Sequence, residues 1–272
     1  MGGPGEGYDW PKSGHGIFID TDDNVWFIDT DDNVWLAGND PSDHQVLKFT
    51  PDGKFLQQVG KAGSTGGSNS ETQLGRPAHM QIDEAANELY IADGYLNRRV
   101  IVFDSDSGKF KRGWGAYGKA LAEIDNNPQP PHDPKGPPAP QFKSPVHCVR
   151  IANDGLVYVC DRGGDRIQVF TKQGKFLKEF FIANETLRGG SAGSVDFSPD
   201  PGQKYIFVAD IVNNVVWELE RETGKIVDKI GHHGHAGGQF HFLHVATMDS
   251  KGNLYTGEVD SGKRVQKFVP VQ

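Results

Sequence analysis

Short runs of alternating apolar and polar residues recur along the chain, each bounded by turn residues. One unit reads Ala-Asp-Gly-Tyr-Leu-Asn-Arg-Arg-Val-Ile-Val-Phe over residues 92–103 and is followed by Ser-Gly-Lys-Phe at 107–110. The same pattern returns, with variations, at 39–55, 160–176, 209–226 and 258–268. Alternation with a period of two predicts antiparallel β-strands, and the Asp-Gly, Ser-Gly and Gln-Gly pairs predict tight hairpins between them.

Five units at a spacing of about 40 residues predict an all-β fold, a β-propeller built from sheets of about four strands. We expect a single domain over residues 1–272, with repeats at about 14–60, 76–115, 144–183, 190–231 and 239–270. Glycine-rich connectors precede the repeats, and the stretches 61–75 and 116–143 are predicted to be loops. The first unit opens on such a connector without a preceding strand, and the last lacks its outermost strand. We therefore expect the first blade to be missing or incomplete in this chain.

The net charge and the hydropathy of the chain argue against some classes of binding partner. The 272 residues carry a formal net charge of -8, whereas a nucleic-acid binder would need a basic face. No apolar run approaches the roughly 18 residues of a membrane span, and the N-terminus has no basic or apolar signal region. We expect a monomer that binds neither nucleic acid nor a membrane core.

Three histidines occupy the same place in the first, third and fifth units. His15, His147 and His244 each head a β-type run and stand four residues before a large apolar residue. In the second and fourth units the equivalent places hold Ala78 and Gly193. Alternate blades of a six-bladed ring lie about 120° apart, so the three side chains would converge on its axis. The pattern predicts a three-His site for zinc or another divalent transition metal. The alternative is that these positions hold polar residues lining a wet channel.

The other histidines lie on loops or out of phase with this pattern: His44, His79, His132, His232, His233, His235 and His241. The His-His-Gly-His run at 232–235 is interpreted as a solvated connector, with adventitious metal binding as the alternative.

Two further features leave alternatives open. Residues 18–26 are repeated letter for letter at 27–35, which predicts a long loop or an extra hairpin. The aspartates and asparagines of this duplication could instead bind Ca²⁺, which prefers oxygen ligands. Cys148 and Cys160 lie on the two arms of one predicted hairpin. We predict buried free thiols rather than a disulfide, because direct cross-strand disulfide geometry is often strained. Strand alternation turns Cys148 away from the face of His147, so it is not counted as a ligand.

The units at 93–103 and 161–170 resemble NHL-repeat propellers and, more narrowly, peptidyl-α-hydroxyglycine α-amidating lyase. As repeats, the resemblance covers nearly all of the chain. It implies a six-bladed propeller with a zinc ion held by three histidines. It also implies an enzyme that splits a C-terminal α-hydroxyglycine into a peptide amide and glyoxylate, in a secreted or periplasmic location.

The resemblance extends to single residues of the family's site. His15 opens a His-Gly-apolar-x-Ile-Asp strand, His147 follows a Pro-Val pair close to the family's Val-Pro, and His244 precedes the turn of the final repeat. The catalytic tyrosine of the motif Asp-Gly-Tyr-x-Asn-x-Arg corresponds to Tyr95, and an active-site arginine to Arg162. These matches imply that the histidines hold the metal and that Tyr95 and Arg162 are catalytic.

The chain also departs from the family pattern. Where the family has Met-Pro-His-Asp, this chain has Phe-Leu-His-Val at 242–245, so Val245 replaces an aspartate of the family's structural Ca²⁺ site. Leu96 replaces the cysteine that follows the family's tyrosine. An active-site arginine upstream of the first histidine has no counterpart here. The resemblance thus supports the metal site better than it supports the lyase activity. It supports a structural Ca²⁺ site only weakly.

The implied chemistry assigns a role to each residue. The metal would act as a Lewis acid on the substrate hydroxyl, and Tyr95 would be the general base, its pKa lowered by the cation or by a neighbouring arginine. Arg162 would hold the substrate carboxylate with two hydrogen bonds. The alternative is that both residues cap loops.

Two other functions compete with a carbon–nitrogen lyase that takes a small peptide-like ligand in the central channel. One is a metal-dependent lactonase or esterase of the same architecture. The other is a non-catalytic NHL module that binds a protein or a small molecule.

Overall fold

The chain forms five antiparallel sheets in the computed structural model, which describes residues 5–19, 25–29, 42–50 and 53–271. The first two sheets contain strands β1 (Gly14–Ile19), β2 (Val25–Asp29), β3 (Gln45–Phe49), β4 (Phe55–Gly60), β5 (Pro77–Asp83), β6 (Glu88–Asp93), β7 (Arg99–Asp104) and β8 (Phe110–Trp114). The third and fourth contain β9 (Val146–Ile151), β10 (Val157–Asp161), β11 (Arg166–Phe170), β12 (Phe176–Phe181), β13 (Ser194–Phe197), β14 (Tyr205–Asp210), β15 (Val215–Glu220) and β16 (Ile226–Ile230). The fifth has three strands, β17 (Leu243–Met248), β18 (Leu254–Glu258) and β19 (Val265–Phe268).

In every sheet the strands pair in the order in which they follow along the chain. This up-and-down arrangement of consecutive sheets confirms the predicted all-β propeller fold. Short 3₁₀ helices interrupt the connections at Glu84–Ala86, Ala116–Gly118, Leu121–Glu123 and Arg162–Gly164. No helix of the described ranges is both long and apolar enough to span a bilayer.

The predicted hairpins form at the glycines of the repeat. Gly108 and Gly174 follow the third strand of their sheets with φ of +66° and +82°, a conformation that costs a residue with a Cβ more than it costs glycine. The Gly108 amide donates to Asp104 at 2.9 Å, and the Gly174 amide donates to Thr171 at the same distance. The turn residues of the sequence pattern therefore set where each strand ends.

The chain divides into two compact units, residues 1–128 with 140–149, and residues 129–139 with 150–272. Each unit has its own apolar core. In the first unit, residues from the first two sheets pack together with Leu74 of the connector between them: Val46, Val59, Leu74, Met80, Ile82, Leu89, Ile91, Ile101 and Phe103. In the second unit a cluster joins the fourth and fifth sheets: Phe207, Ala209, Val216, Phe240, Leu243, Ala246 and Leu254.

The aspartate and arginine of the repeat form buried ion pairs. Arg99 Nε donates to Asp93 Oδ2 at 2.8 Å, with both side chains fully buried, and its Nη2 donates to the carbonyl of Gln73 at 2.6 Å. Arg166 pairs with Asp161 at 2.7 Å and donates to the carbonyl of Ala139 at 2.9 Å. The arginine thus ties the connector before a sheet to that sheet's second and third strands. This explains why the arginine recurs in the repeat without a catalytic role.

Both cysteines are disulfide-bonded, so the prediction of free thiols is wrong. Cys148 on β9 and Cys160 on β10 are both buried. Strain disfavours such a bond but does not forbid it.

Part of the duplication at 18–35 belongs to the first sheet. Phe18 in β1 pairs with Trp26 in β2, and Ile17 pairs with Phe27, the first residue of the second copy. Residues 20–24 and 30–41 lie outside the described part of the chain, and with them most of the oxygen side chains proposed to bind Ca²⁺.

Candidate metal centre

In the first, second and fifth sheets, the histidine position of the repeat lies at an irregularity near the start of the first strand. The β1–β2 register shifts between Gly14 and Ile17, so His15 falls inside the shift. In β5 the shift lies at Ala78, and in β17 it lies at His244. A bulge bends a strand and changes the direction of the side chain at that point. The bulges thus fall at the positions that the sequence pattern aligns, with Ala78 standing where the second unit lacks a histidine.

A backbone carbonyl group orients the imidazole of His15, which belongs to the first compact unit. Nδ1 of His15 lies 2.5 Å from the carbonyl oxygen of Ala78. A carbonyl only accepts, so Nδ1 carries the proton and, in the neutral ring, Nε2 carries a lone pair. A backbone acceptor on one imidazole nitrogen is the usual way in which proteins orient a metal-binding histidine.

His147, on β9, has 3% of its surface exposed and belongs to the same compact unit as His15. The two imidazole rings meet edge to face, with centroids 5.0 Å apart, and their ligand nitrogens lie within 4.8 Å of each other. Two nitrogens on one tetrahedral zinc ion would be about 3.4 Å apart, given Zn–N distances of about 2.0–2.1 Å. A small side-chain adjustment would bring the pair onto an ion.

Tyr95 joins the two histidines. Its hydroxyl oxygen lies 3.2 Å from Nε2 of His15 and 3.1 Å from Nε2 of His147. The hydroxyl has one proton, so it can donate to only one of the two rings at a time. Nitrogen and oxygen lone pairs therefore lie close together, and such a set of donor atoms is typical of a site for a divalent cation.

Backbone contacts explain why Tyr95 reaches this place. A Cβ on Gly94 would lie 2.1 Å from the carbonyl oxygen of Val146, so only glycine lets the tyrosine loop approach β9 this closely. Ser144 Oγ lies 3.1 Å from the carbonyl oxygen of Gly94 and 2.9 Å from that of Tyr95, and its one proton can be donated to either of them. The Asp-Gly-Tyr sequence is thus needed for the packing that positions the phenol.

Arg76 is a neighbour of Tyr95 that the sequence pattern does not single out. Its guanidinium carbon lies 5.4 Å from the centroid of the Tyr95 ring, within the range of a cation–π interaction. Arg76 has φ of +56°, and its amide donates to Nδ1 of His44 at 3.1 Å. A positive φ outside glycine is uncommon and is often found at functional sites. The only signal in the sequence is the Gly-Arg-Pro string before β5, which does not reveal its distance from Tyr95.

The other two predicted site residues, His244 and Arg162, belong to the second compact unit. His244 is the second residue of β17, and Arg162 opens the 3₁₀ helix after β10 with 2% of its surface exposed. Within the first compact unit, His15 and His147 bring their ligand nitrogens close enough together to hold one metal ion. Their chemistry fits zinc, since neutral imidazole nitrogens are typical ligands of catalytic zinc sites.

Comparison with protein-family models gave no match. Human NHL repeat-containing protein 3 is 28% identical over 271 residues, covering 94% of this chain and 67% of that protein. Peptidyl-glycine α-amidating monooxygenase B of Xenopus laevis is 29% identical over 167 residues, which are 61% of this chain and 16% of that protein. Peptidyl-α-hydroxyglycine α-amidating lyase 2 of Drosophila melanogaster is 32% identical over 118 residues, which are 43% of this chain and 22% of that protein.

Among solved structures, a streptogramin B lyase superposes with a TM-score of 0.58 at 14% identity, over 96% of this chain and 67% of that one. Virginiamycin B lyase from Staphylococcus aureus gives 0.55 at 14% identity, over 94% and 69%. At this identity the likeness concerns the fold alone. The chain is a β-propeller that is similar over most of its length to NHL repeat-containing protein 3 and, over part of its length, to a peptidyl-α-hydroxyglycine α-amidating lyase.

Proposed function

We propose that His15, His147 and His244 bind one zinc ion and that the protein cleaves peptidyl-α-hydroxyglycine substrates into a peptide amide and glyoxylate. The observation that carries the proposal is the Tyr95 hydroxyl within 3.2 Å of two of the three histidines. The repeat phase of His244 and the similarity to amidating lyases support it.

The ion, when bound, would supply Lewis-acid polarisation of a substrate oxygen. His15 and His147 would hold it through Nε2, with the Ala78 carbonyl fixing the His15 ring as in the structure. His244 would be the third ligand. The imidazoles of His15 and His147 need only small movements to bind, because β-strands carry them rather than free loops.

Tyr95 would act as the general base. Its phenolate takes the proton of the substrate hydroxyl, and the electrons of that O–H bond form the carbonyl group of glyoxylate. The electrons of the breaking carbon–nitrogen bond move to the amide nitrogen, which takes up a proton and leaves as the peptide amide. General base catalysis of this kind typically contributes a rate factor of about 10²–10⁴.

Two arginines are assigned to charges that this reaction creates or binds. Arg76, whose guanidinium faces the Tyr95 ring, would stabilise the phenolate. Arg162 would bind the substrate carboxylate, as the family resemblance implies. A guanidinium suits this role because it forms paired hydrogen bonds with a carboxylate.

The test is release of glyoxylate from an α-hydroxyglycyl peptide by the zinc-loaded protein. We expect glyoxylate and peptide amide in equal amounts, and none from His147→Ala. Absence of glyoxylate from zinc-loaded wild-type protein would refute the lyase proposal. Hydrolysis of a lactone or ester by the same preparation would favour the hydrolase instead.

A non-catalytic NHL module is the second candidate. It is favoured by the comparison that covers most of this chain, with human NHL repeat-containing protein 3. This function predicts that His147→Ala changes only stability and leaves the zinc content of the protein as in wild type. Comparing the zinc content of wild-type and His147→Ala protein therefore separates the module from both enzymes before any substrate is tried. The disulfide is typical of a protein in an oxidising compartment, which is compatible with the lyase, the hydrolase and the non-catalytic module alike.

A further inference from the structure

A second histidine cluster lies on the connector between β16 and β17. The ring centroid of His241 is 4.4 Å from that of His235 and 5.3 Å from that of His233. All three residues belong to the second unit, and His233 and His235 are exposed. None of them takes part in the proposed lyase chemistry.

Backbone hydrogen bonds hold this connector in place. The amide of Phe240 donates to the carbonyl of His232 at 2.8 Å, and the amide of Gly234 donates back to the carbonyl of Phe240 at 2.9 Å. Arg264 Nη1 donates to the carbonyl of His235 at 2.6 Å. Side chains on an ordered backbone lose less conformational entropy when they bind a ligand together.

His241 has a buried nitrogen with no hydrogen-bond partner within the described ranges. Its Nε2 lies 2.9 Å from Ser261 Oγ, while its Nδ1 is buried and makes no hydrogen bond. If Nε2–H donates to the hydroxyl, Nδ1 of the neutral ring carries a lone pair. A buried acceptor left unpaired costs about 1–3 kcal/mol, and a cation bound at Nδ1 would remove this cost.

The charges around the cluster permit a cation. Arg264, the positive group beside it, is paired with Glu258 at 2.8 Å. Glu258 also accepts a hydrogen bond from the amide of His241 at 3.0 Å. Burial alone would raise the pKa of Glu258, but hydrogen bonds from Arg264, His241 and Gln266 lower it overall. The carboxylate therefore stays charged and balances the arginine.

We propose that His233, His235 and His241 form a second zinc site, separate from the three histidines of the proposed lyase site and independent of that function. Imidazole nitrogens are the ligands that zinc prefers on a protein surface without cysteine. The two exposed imidazoles can turn about their side-chain torsions toward an ion at Nδ1 of His241, and water completes the coordination shell. Ser261 orients the His241 ring, as partners of metal-bound histidines usually do.

The test is zinc binding by untagged protein, measured by competition with a chromogenic chelator. His147→Ala removes the other proposed site, and we expect this variant to bind one zinc ion. Adding His235→Ala or His241→Ala should weaken that binding at least tenfold, and adding Ser261→Ala should weaken it by about 10–100-fold. The matched control is His232→Ala in the same connector, where affinity should change less than about twofold because this ring contacts Gln239 and not the cluster.

Three outcomes would overturn the proposal. They are no zinc bound by folded His147→Ala protein, unchanged affinity in His241→Ala, and an equal loss in His232→Ala. If His147→Ala does not fold, the same additions are made to wild-type protein. There His241→Ala should lower the number of zinc ions bound by one, and an unchanged number would contradict the site.

Discussion

The hydroxyl oxygen of Tyr95 lies 3.1 Å from Nε2 of His147, although 52 residues separate them along the chain. Tyr95 follows β6 and His147 lies on β9, so the contact depends on packing between two repeats. The missing side chain of Gly94 makes the approach possible. A phenol at this distance from a proposed metal ligand would be placed to act on a substrate bound at the same metal.

Tyr95→Phe should separate catalysis from metal binding. The variant keeps the ring and its packing but loses the proton acceptor, so kcat for glyoxylate release should fall by about 10²–10⁴. Zinc content and thermal midpoint should stay as in wild-type protein. A variant that retains activity within about tenfold of wild type would show that Tyr95 is not the base.

Arg76→Ala should change the pH dependence of the reaction. Without the guanidinium beside the Tyr95 ring, the phenolate is less stable, and the rising limb of kcat against pH should move up by about one pH unit or more. Arg76→Lys keeps the charge and should show a smaller displacement. An unchanged pH profile with only a raised KM would instead mean that Arg76 binds substrate.

The repeat and its hairpins could be predicted from the sequence because strands and turns are local features. The alternation around residues 99–103 and the glycine at 108 each fix one part of a sheet without long-range information. The shared phase of His15 and His147 could also be read, because identical units place equivalent residues alike. The link between Arg76 and Tyr95 could not, because it arises where the connector before β5 meets the loop after β6.

The disulfide and the second histidine cluster show the same limit. Sequence placed Cys148 opposite Cys160, but whether they bond depends on backbone geometry that no pattern encodes. In the sequence, His241 is one of several histidines on loops. Its buried Nδ1 and its contact with Ser261 depend on how the β18–β19 turn packs against the connector.

Arg99→Leu should destabilise the protein strongly. It leaves the fully buried carboxylate of Asp93 without its partner at 2.8 Å, and breaking a buried pair from one side typically costs about 3–5 kcal/mol. Lys111→Ala is the control, because its pair with Glu88 is partly exposed at 2.9 Å and should contribute less than about 1 kcal/mol. The free energies of unfolding in urea give the comparison. Equal losses in both variants would contradict the structural role of the repeat arginine.

Asp165→Asn should remove part of the pH dependence of stability. Burial raises the pKa of the Asp165 carboxyl to about 6, against the opposing hydrogen bonds from Ser191. The folded protein thus holds this proton more tightly than the unfolded chain does. The resulting stabilisation is present below the usual pKa of about 3.8 and is lost as the pH rises through about 6.

Urea unfolding between pH 4 and 7.5 checks this prediction. Wild-type protein should lose stability relative to Asp165→Asn over that range, and the difference should level off above it. Asp133→Asn makes the same charge change at an exposed position and should follow wild type. Parallel curves for Asp165→Asn and wild type would show that Asp165 titrates normally.

Zinc retention tests the three-histidine site most directly. The measurement is made on untagged protein in a His235→Ala background, which excludes the surface cluster, after zinc loading and gel filtration. We expect one zinc ion per chain, lost in His15→Ala, His147→Ala and His244→Ala and retained in the out-of-phase control His79→Ala. No retained zinc in the folded background protein, or equal retention in all four variants, would contradict this expectation.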